Sequence, residues 1–378
     1  MDHNATTPLH EEVLEAMMPY LTDQFANPAS ITHAAGRVVR DAVEAARAEI
    51  AAFVGAQPSE IVFTSGATES DNLALKGAAW AHRDHGDHIV TSATEHKAVL
   101  DTCRWLQNNG FRLTVLPVDA DGLVDPAAVA AALSDRTILV SVQHANSEIG
   151  TIQPVEEIGR LCRERGVLFH CDATQSVGRI PFSVADVSCD MAAFSGHKFY
   201  GPKGIGALFV RRRVRIEPIL SGGGQENGRR AGTLNVPGVI GLAAACRVAR
   251  RDREAESLRL LQLRTILLDD IVSNVPGARL NGHPVRRLPN NLNFSFPGVE
   301  GEALILGMKT VALSSGSACT ADEPGPSHVL KAIGLPDELG HATLRFGLGR
   351  GNDESEVRSV AAALAGAVAR LRSLSPTS

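Results

Sequence analysis

Between residues 61 and 210 the chain alternates short apolar runs with stretches of helical periodicity, and no other feature restricts its fold as much. Residues 61–63, 89–90, 112–118, 137–143, 167–171, 191–194 and 205–210 read as strands. Residues 67–82, 97–108, 126–133 and 155–165 read as helices between them, and Gly110 and Gly166 stop two of these. Strands joined by helices of this length predict an α/β fold built on a mainly parallel, seven-stranded sheet with right-handed crossovers. Ligands of such sheets bind beyond the carboxyl ends of the strands, so the residues just after each strand are the first candidates for a site.

From about residue 250 the pattern changes. Residues 251–272 read as a long amphipathic helix rich in Leu and Arg. Strands follow at 291–296 and 342–346, with a Gly/Ser-rich stretch at 314–325 and a C-terminal helix at 354–374. This predicts a smaller α/β domain, formed by residues 1–9 and 251–378, beside a large domain of residues 10–250. A chain of 378 residues can bury a large core, and 44% hydrophobic with 21% charged residues suits a globular protein. The net charge of −5 argues against a polyanion as partner, so no direct contact with nucleic acid is expected. No apolar run reaches the ~18 residues of a membrane helix, and residues 1–8 lack the basic-then-apolar pattern of a secretion signal. The expected compartment is therefore the cytoplasm, with no membrane partner.

No pair among the six cysteines has metal-ribbon or dithiol spacing, and no metal site is expected. Cys103, Cys162, Cys171, Cys189 and Cys246 read as small buried hydrophobes. The His- and Asp-rich stretch 82–88 reads as a solvated loop, and the arginines of 211–215 as a charged strand exit.

Three strand ends carry chemistry. Phe63-Thr64-Ser65-Gly66-Ala67-Thr68 joins a strand to a helix, and the free N–H groups of that helix with the Thr68 hydroxyl can hold a phosphate or simply cap the helix. Asp172 follows the strand at 167–171, where it is either an N-cap or the partner of a protonated ring nitrogen, and Gln175 lies three residues on. Ser195-Gly196-His197-Lys198 follows the strand at 191–194. An ammonium there is costly to bury, so Lys198 either reaches solvent or is consumed in a Schiff base.

A phosphate turn, then an aspartate, then a lysine is the order of the aspartate-aminotransferase fold, pyridoxal-phosphate fold type I. Further blocks make the likeness specific: Ala5-Thr6-Thr7-Pro8, Asn27-Pro28-Ala29-Ser30, Glu95-His96-Lys97, Asp172-Ala173-Thr174-Gln175 and Ser314-Ser315-Gly316-Ser317-Ala318-Cys319-Thr320. With these the chain, from about residue 5 to 375, resembles the NifS/IscS-type cysteine desulfurases of the class-V aminotransferase family, in the branch with a long cysteine loop.

The resemblance implies pyridoxal 5′-phosphate as cofactor and L-cysteine as substrate. Lys198 is then the Schiff-base lysine, Asp172 holds the ring nitrogen and Gln175 the ring oxygen, with Asn146 nearby. His96 stacks on the ring and assists proton transfer. Ala67, Thr68, Ser195 and His197 bind the phosphate, and Thr233 reaches it from a second subunit, which implies a homodimer. Asn27 and Arg345 bind the substrate, Arg345 clamping its carboxylate with a bidentate fork. Lys198 removes the Cα proton, and the Cys319 thiolate takes the sulfur as a persulfide, releasing alanine. The glycines, prolines and hydroxyl residues of 314–326 read as a mobile surface loop suited to carrying that sulfur to an acceptor protein, a scaffold or a thiolation enzyme.

The family usually has a second asparagine where this chain has Ser147, which lacks the amide donor. Family members that serve cluster scaffolds often carry a longer tail than this sequence, which stops at Ser378 soon after Leu374, so the resemblance implies an acceptor in a dedicated pathway. The competing functions are a selenocysteine lyase, or a related lyase without a carrier cysteine, and a non-catalytic scaffold for sulfur transfer. Intact Lys198, Asp172, His96 and Cys319 argue against the scaffold.

Overall fold

The computed structural model describes residues 1–308, 311–314 and 326–374. Two helices, α1 (Glu11–Leu21) and α2 (Ala34–Val54), precede the alternating region. α2 stops at Gly55, whose φ of 76° turns the chain off the helix at little steric cost. There follow β1 (Ile61–Thr64), α3 (Ala67–Ala81), β2 (His88–Ser92), α4 (Lys97–Asn108), β3 (Arg112–Leu116), α5 (Pro126–Ala132), β4 (Thr137–Ser141), α6 (Val155–Glu164), β5 (Leu168–Asp172), β6 (Met191–Ser195) and β7 (Gly206–Val210).

These seven strands form one sheet in the order β1-β7-β6-β5-β4-β2-β3. The run from β6 to β3 is parallel, as expected, while β7 is antiparallel to both β6 and β1. The connection from β6 to β7 is too short for a crossover, so the chain folds straight back. Alternate residues of each strand serve opposite faces. Phe209 and Ala207 of β7 join the core that includes α2, α6 and the start of the next helix, whereas Leu208 and Val210 join the core under α3 and α4.

The helix expected at 251–272 starts earlier and runs unbroken from Val236 to Asn274 (α7). Residues 236–249 are rich in Ala, Gly and Val and buried nearly all round, which leaves no amphipathic stripe to find in the sequence. That first stretch packs into the core of the large sheet. Leu260, Leu263, Leu267 and Ile271 of the same helix enter a second core.

The second core is completed by β8 (Arg279–Leu280), β9 (Asn291–Ser295), α8 (Gly301–Gly307), β10 (Thr343–Gly347) and α11 (Glu354–Leu374). Before β10 lie the short helices α9 (His328–Ala332) and α10 (Asp337–His341). The three strands form an antiparallel sheet in the order β10-β9-β8, and the N-terminus joins it where Asp2 bridges Gly347. Cys103, Cys162, Cys171, Cys189 and Cys246 are buried with free thiols. Among the described residues, no helix is long and apolar enough to cross a membrane.

Candidate active site

The sheet topology brings the three chemically suggestive strand ends together. β6 lies between β5 and β7, with Ala193 opposite Asp172 and Ser195 opposite Gly206. β7 in turn pairs with β1, placing Thr64 opposite the same Gly206. A Cβ at Gly206 would stand 2.7 Å from the Gly66 Cα, so only glycine lets the turn after β1 close against the end of β6. Beyond these ends opens a cavity of about 490 Å³.

One end of the cavity is built for an anion. Ala67 and Thr68 form the first turn of α3, which begins at Gly66 with no side-chain cap on its N–H groups. Ser195 and His197 face the same space. His197 is half-buried, and its Nδ1 lies 3.1 Å from Thr6 Oγ1. Burial, with Lys198, Lys203 and Arg179 nearby, pushes its pKa down to about 4, so it is a neutral imidazole at pH 7. Arg230 pairs with Glu69 of α3 at 2.8 Å, tying the segment that carries Thr233 to this helix.

The middle holds the amine and its carboxylate. Lys198 Nζ donates to the carbonyls of Asn4 and Ala5, each at 2.8 Å. Arg179 in turn donates to the Lys198 carbonyl, at 3.1 Å from Nε and 2.9 Å from Nη2. Asp172 is buried, and its Oδ1 accepts from the Thr174 N–H at 2.9 Å, so the N-cap-like contact and the cavity position coexist. Gln175 exchanges hydrogen bonds with Asn4, at 3.1 Å to its carbonyl and 3.3 Å from its side-chain amide. His96 caps α4, its Nδ1 accepting from the Ala98 N–H at 3.1 Å. Asn146 folds onto the Glu148 and Ile149 N–H groups and donates to the Thr94 carbonyl at 2.9 Å.

The far end belongs to the small sheet. Arg345, 3% exposed, comes from β10. Its Nη2 meets Asp2 Oδ1 at 2.8 Å, its Nη1 donates to the Ser147 carbonyl at 3.2 Å, and its buried Nε has no partner among the described residues. Ser147 thus serves Arg345 through its backbone. The Arg345 N–H donates to the Ser314 carbonyl at 2.9 Å.

Two expected residues stand apart. Asn27 is exposed in the loop before α2, its side chain accepting from the Ala29 N–H at 2.9 Å, and it does not line the cavity. Thr233 is exposed and likewise off this chain's cavity. Cys319 lies outside the described residues.

The structure also adds residues that the sequence did not single out. Asp71 and Glu95 lie fully buried in the lining. Burial, with Asp172 and Glu95 nearby, raises the Asp71 carboxyl well above its usual range. His170 Nε2 lies 3.4 Å from Asp71 Oδ1. Burial pushes Glu95 up to about 8, against hydrogen bonds from Ser92 and Gln143 that favour its ionised form. Inside a helix or beside a catalytic-looking histidine, neither carboxylate carries a local signal; only packing reveals it. His328 of α9 is a third addition.

Residues 1–360 match the aminotransferase class-V family. The chain is 52% identical to a cysteine desulfurase IscS of Anaeromyxobacter sp. (strain Fw109-5) over 378 residues, covering all of this chain and 94% of that protein. Among solved structures, a NifS-like protein superposes with a TM-score of 0.92 at 36% identity, covering 98% of this chain and 99% of that one. SspA, solved in complex with cysteine, superposes with a TM-score of 0.81 at 38% identity, covering 92% of this chain and 97% of that one.

Proposed function

Since this chain belongs to the class-V aminotransferase family and, by its relatives, is a cysteine desulfurase, we propose the following division of labour in its cavity. The observation that carries it is the meeting of an uncapped helix N-terminus, a buried carboxylate and an amine at three neighbouring strand ends. That donor set fits pyridoxal 5′-phosphate. A phosphate suits the α3 N–H groups, Thr68, Ser195 and neutral His197, Asp172 suits a protonated ring nitrogen, and Lys198 suits the aldehyde carbon. When bound, the ring supplies an electron sink for a carbanion at the substrate Cα.

Lys198 moves the proton at Cα. Its two carbonyl contacts and the hold of Arg179 on its backbone fix where the amine stands. His96 covers one face of the ring and Gln175 serves the ring oxygen. Arg345 binds the substrate carboxylate, with the Asp2 contact setting the orientation of its guanidinium. Cys319 accepts the sulfur and passes it to an acceptor protein. It lies five positions after Ser314, which is bonded to Arg345, and five extended residues span at most ~18 Å. Chain length alone therefore tethers the thiol within reach of the substrate end.

Two chains make the complete site in this reading. Thr233 is exposed beside a segment anchored to α3, and a twofold-related copy would bring it to the partner's phosphate. Leu14, Met18, Leu21, Phe25 and Ile31 are exposed apolar side chains available to such an interface.

The test is release of alanine and sulfide from L-cysteine by the cofactor-loaded enzyme with a reductant. Cys319→Ala should keep the cofactor absorbance and lose turnover. Equal activity in that variant would remove the persulfide step and leave a direct lyase.

A further inference from the structure

Asn4 touches both groups that the reading above sets against neighbouring substituents of the cofactor ring. Its carbonyl accepts from Lys198 Nζ at 2.8 Å and from Gln175 Nε2 at 3.1 Å. The aldehyde carbon and the ring oxygen of pyridoxal stand on adjacent ring carbons, so an amine and an amide that share one carbonyl are spaced for that pair. The Asn4 side chain makes a further contact. It is buried in the lining of the cavity, and its Nδ2 donates to Gln175 Oε1 at 3.3 Å.

These contacts fix which way round the Gln175 amide stands. A side-chain amide can be turned over to exchange its donor and acceptor ends, and only its partners decide the sense. Here three amides form a chain, and each end of the chain is anchored on a backbone carbonyl, which only accepts. At the small-sheet end, Asn290 Nδ2 donates to the Leu348 carbonyl at 3.2 Å and to Asn4 Oδ1 at 3.4 Å. Asn4 Nδ2 is thereby turned to Gln175, where only Oε1 can accept. At the other end, Gln175 Nε2 meets the Asn4 carbonyl. Reversing any one of the three would set donor against donor or oxygen against oxygen, and all three side chains are buried, where such a fault is costly. Gly347 of β10 leaves room for the chain, since a Cβ there would stand 2.6 Å from Asn4 Oδ1. Of the two hydrogens on Gln175 Nε2, one goes to the Asn4 carbonyl, and among the described residues no hydrogen bond takes the other.

We infer that Asn4 is a positioning residue for the ring oxygen of the cofactor: its side chain holds the Gln175 amide in the sense that offers Nε2–H, and not Oε1, to that oxygen. The inference rests on the reading of Gln175 as the ring-oxygen residue and of Lys198 as the Schiff-base lysine. A donor at the ring oxygen favours its anionic form, and the oxygen carries that charge unshared once the Schiff-base nitrogen has lost its proton. Gln175 held in this sense therefore lowers the pH at which the nitrogen titrates. An amide free to present Oε1 instead raises it.

The test is an absorbance titration of the cofactor-loaded enzyme, reading the midpoint of the Schiff-base band against pH. Asn4→Ala keeps the backbone carbonyl and loses the orienting donor, and should raise the midpoint by roughly 0.5–1 pH unit, the worth of one neutral hydrogen bond. Gln175→Ala should raise it at least as far. Adding Asn4→Ala to Gln175→Ala should add less than about 0.2 unit, because a residue that acts through another then has nothing left to act on. An unchanged midpoint in Asn4→Ala while Gln175→Ala raises it, or an equal rise from Asn4→Ala in both backgrounds, overturns the assignment. An unchanged midpoint in Gln175→Ala shows instead that the reading of Gln175 beneath it has failed. Asn4→Leu, close to asparagine in shape but without the donor, repeats the test if the cavity left by alanine prevents loading. Loss of cofactor from both Asn4 variants while Gln175→Ala stays loaded also overturns the assignment, since removing a positioning residue cannot cost more than removing what it positions.

Discussion

The two ends of the cavity are made in different ways. At the anion end, each candidate group ends its strand or follows it by a few residues: Thr68 after β1, Asp172 at the tip of β5, Ser195 at the tip of β6, and His197 and Lys198 just beyond it. At the far end, Arg345 is held by Asp2, 343 positions away, by the Ser147 carbonyl, 198 positions away, and by Ser314. A group placed by its own strand and turn needs only the sheet to be correct. A group placed by distant contacts needs the whole chain to be folded, and a fault anywhere in that set moves it.

The contrast can be broken first at Glu226. This residue sits in a left-handed conformation, φ 49°, far in sequence from β1, yet it accepts from the Phe63 N–H at 2.7 Å and pairs with buried Arg47 at 2.7 and 2.8 Å. Breaking a buried pair leaves an uncompensated charge, so Glu226→Gln should lower stability by about 3–5 kcal/mol in urea unfolding. It should also weaken cofactor retention, because β1 aims the α3 turn. If cofactor is retained as in wild type despite the lost stability, the anion end is as local as its sequence suggests.

A smaller effect is expected at the other end. Arg345→Lys keeps a charge but loses the fork, so kcat/KM for cysteine should drop roughly 10- to 100-fold, mainly through KM. Exchange catalysed on substrates already saturating the site should change little. A loss confined to kcat would mean that Arg345 does not hold the carboxylate.

A third change, read per pH unit, sharpens what lies between the ends. Glu95 stays protonated in the folded protein up to about pH 8, whereas an unfolded glutamate ionises near 4.5. Unfolding in that window releases a proton, so Glu95 makes the cofactor-free protein less stable as pH rises from 4.5 to 8, by at most about 1.4 kcal/mol per pH unit. Glu95→Gln should remove that slope, and its stability relative to wild type should grow across the window. A pH-independent difference would show that Glu95 is already ionised in the folded state.

This division also explains how far the sequence could be read. α4 and α11 have the expected limits, because each carries its own cap and apolar stripe. The meeting of Lys198, Asp172 and Thr68 around one cavity was legible because a strand end is a local pattern. The first third of α7 was not, since a helix buried all round has no polar face to contrast with its apolar one. Nor was the antiparallel course of β7, which follows from the length of one connection and not from the composition of the strand. The Asp2–Arg345 contact and the hydrogen bond of His328 to Glu95 have no sequence signature at all, because their partners are 343 and 233 positions apart.

Helix α7 carries a mechanical consequence. At about 1.5 Å per residue its 39 residues make a strut of nearly 60 Å, with one stretch embedded in each core and no non-helical residue between them. A strut shared in this way does not act as a hinge. If the mouth of the cleft narrows around a substrate, the small sheet must slide along the flank of α7 by side-chain repacking, a shear of small amplitude, while the distance between the two buried footholds stays constant.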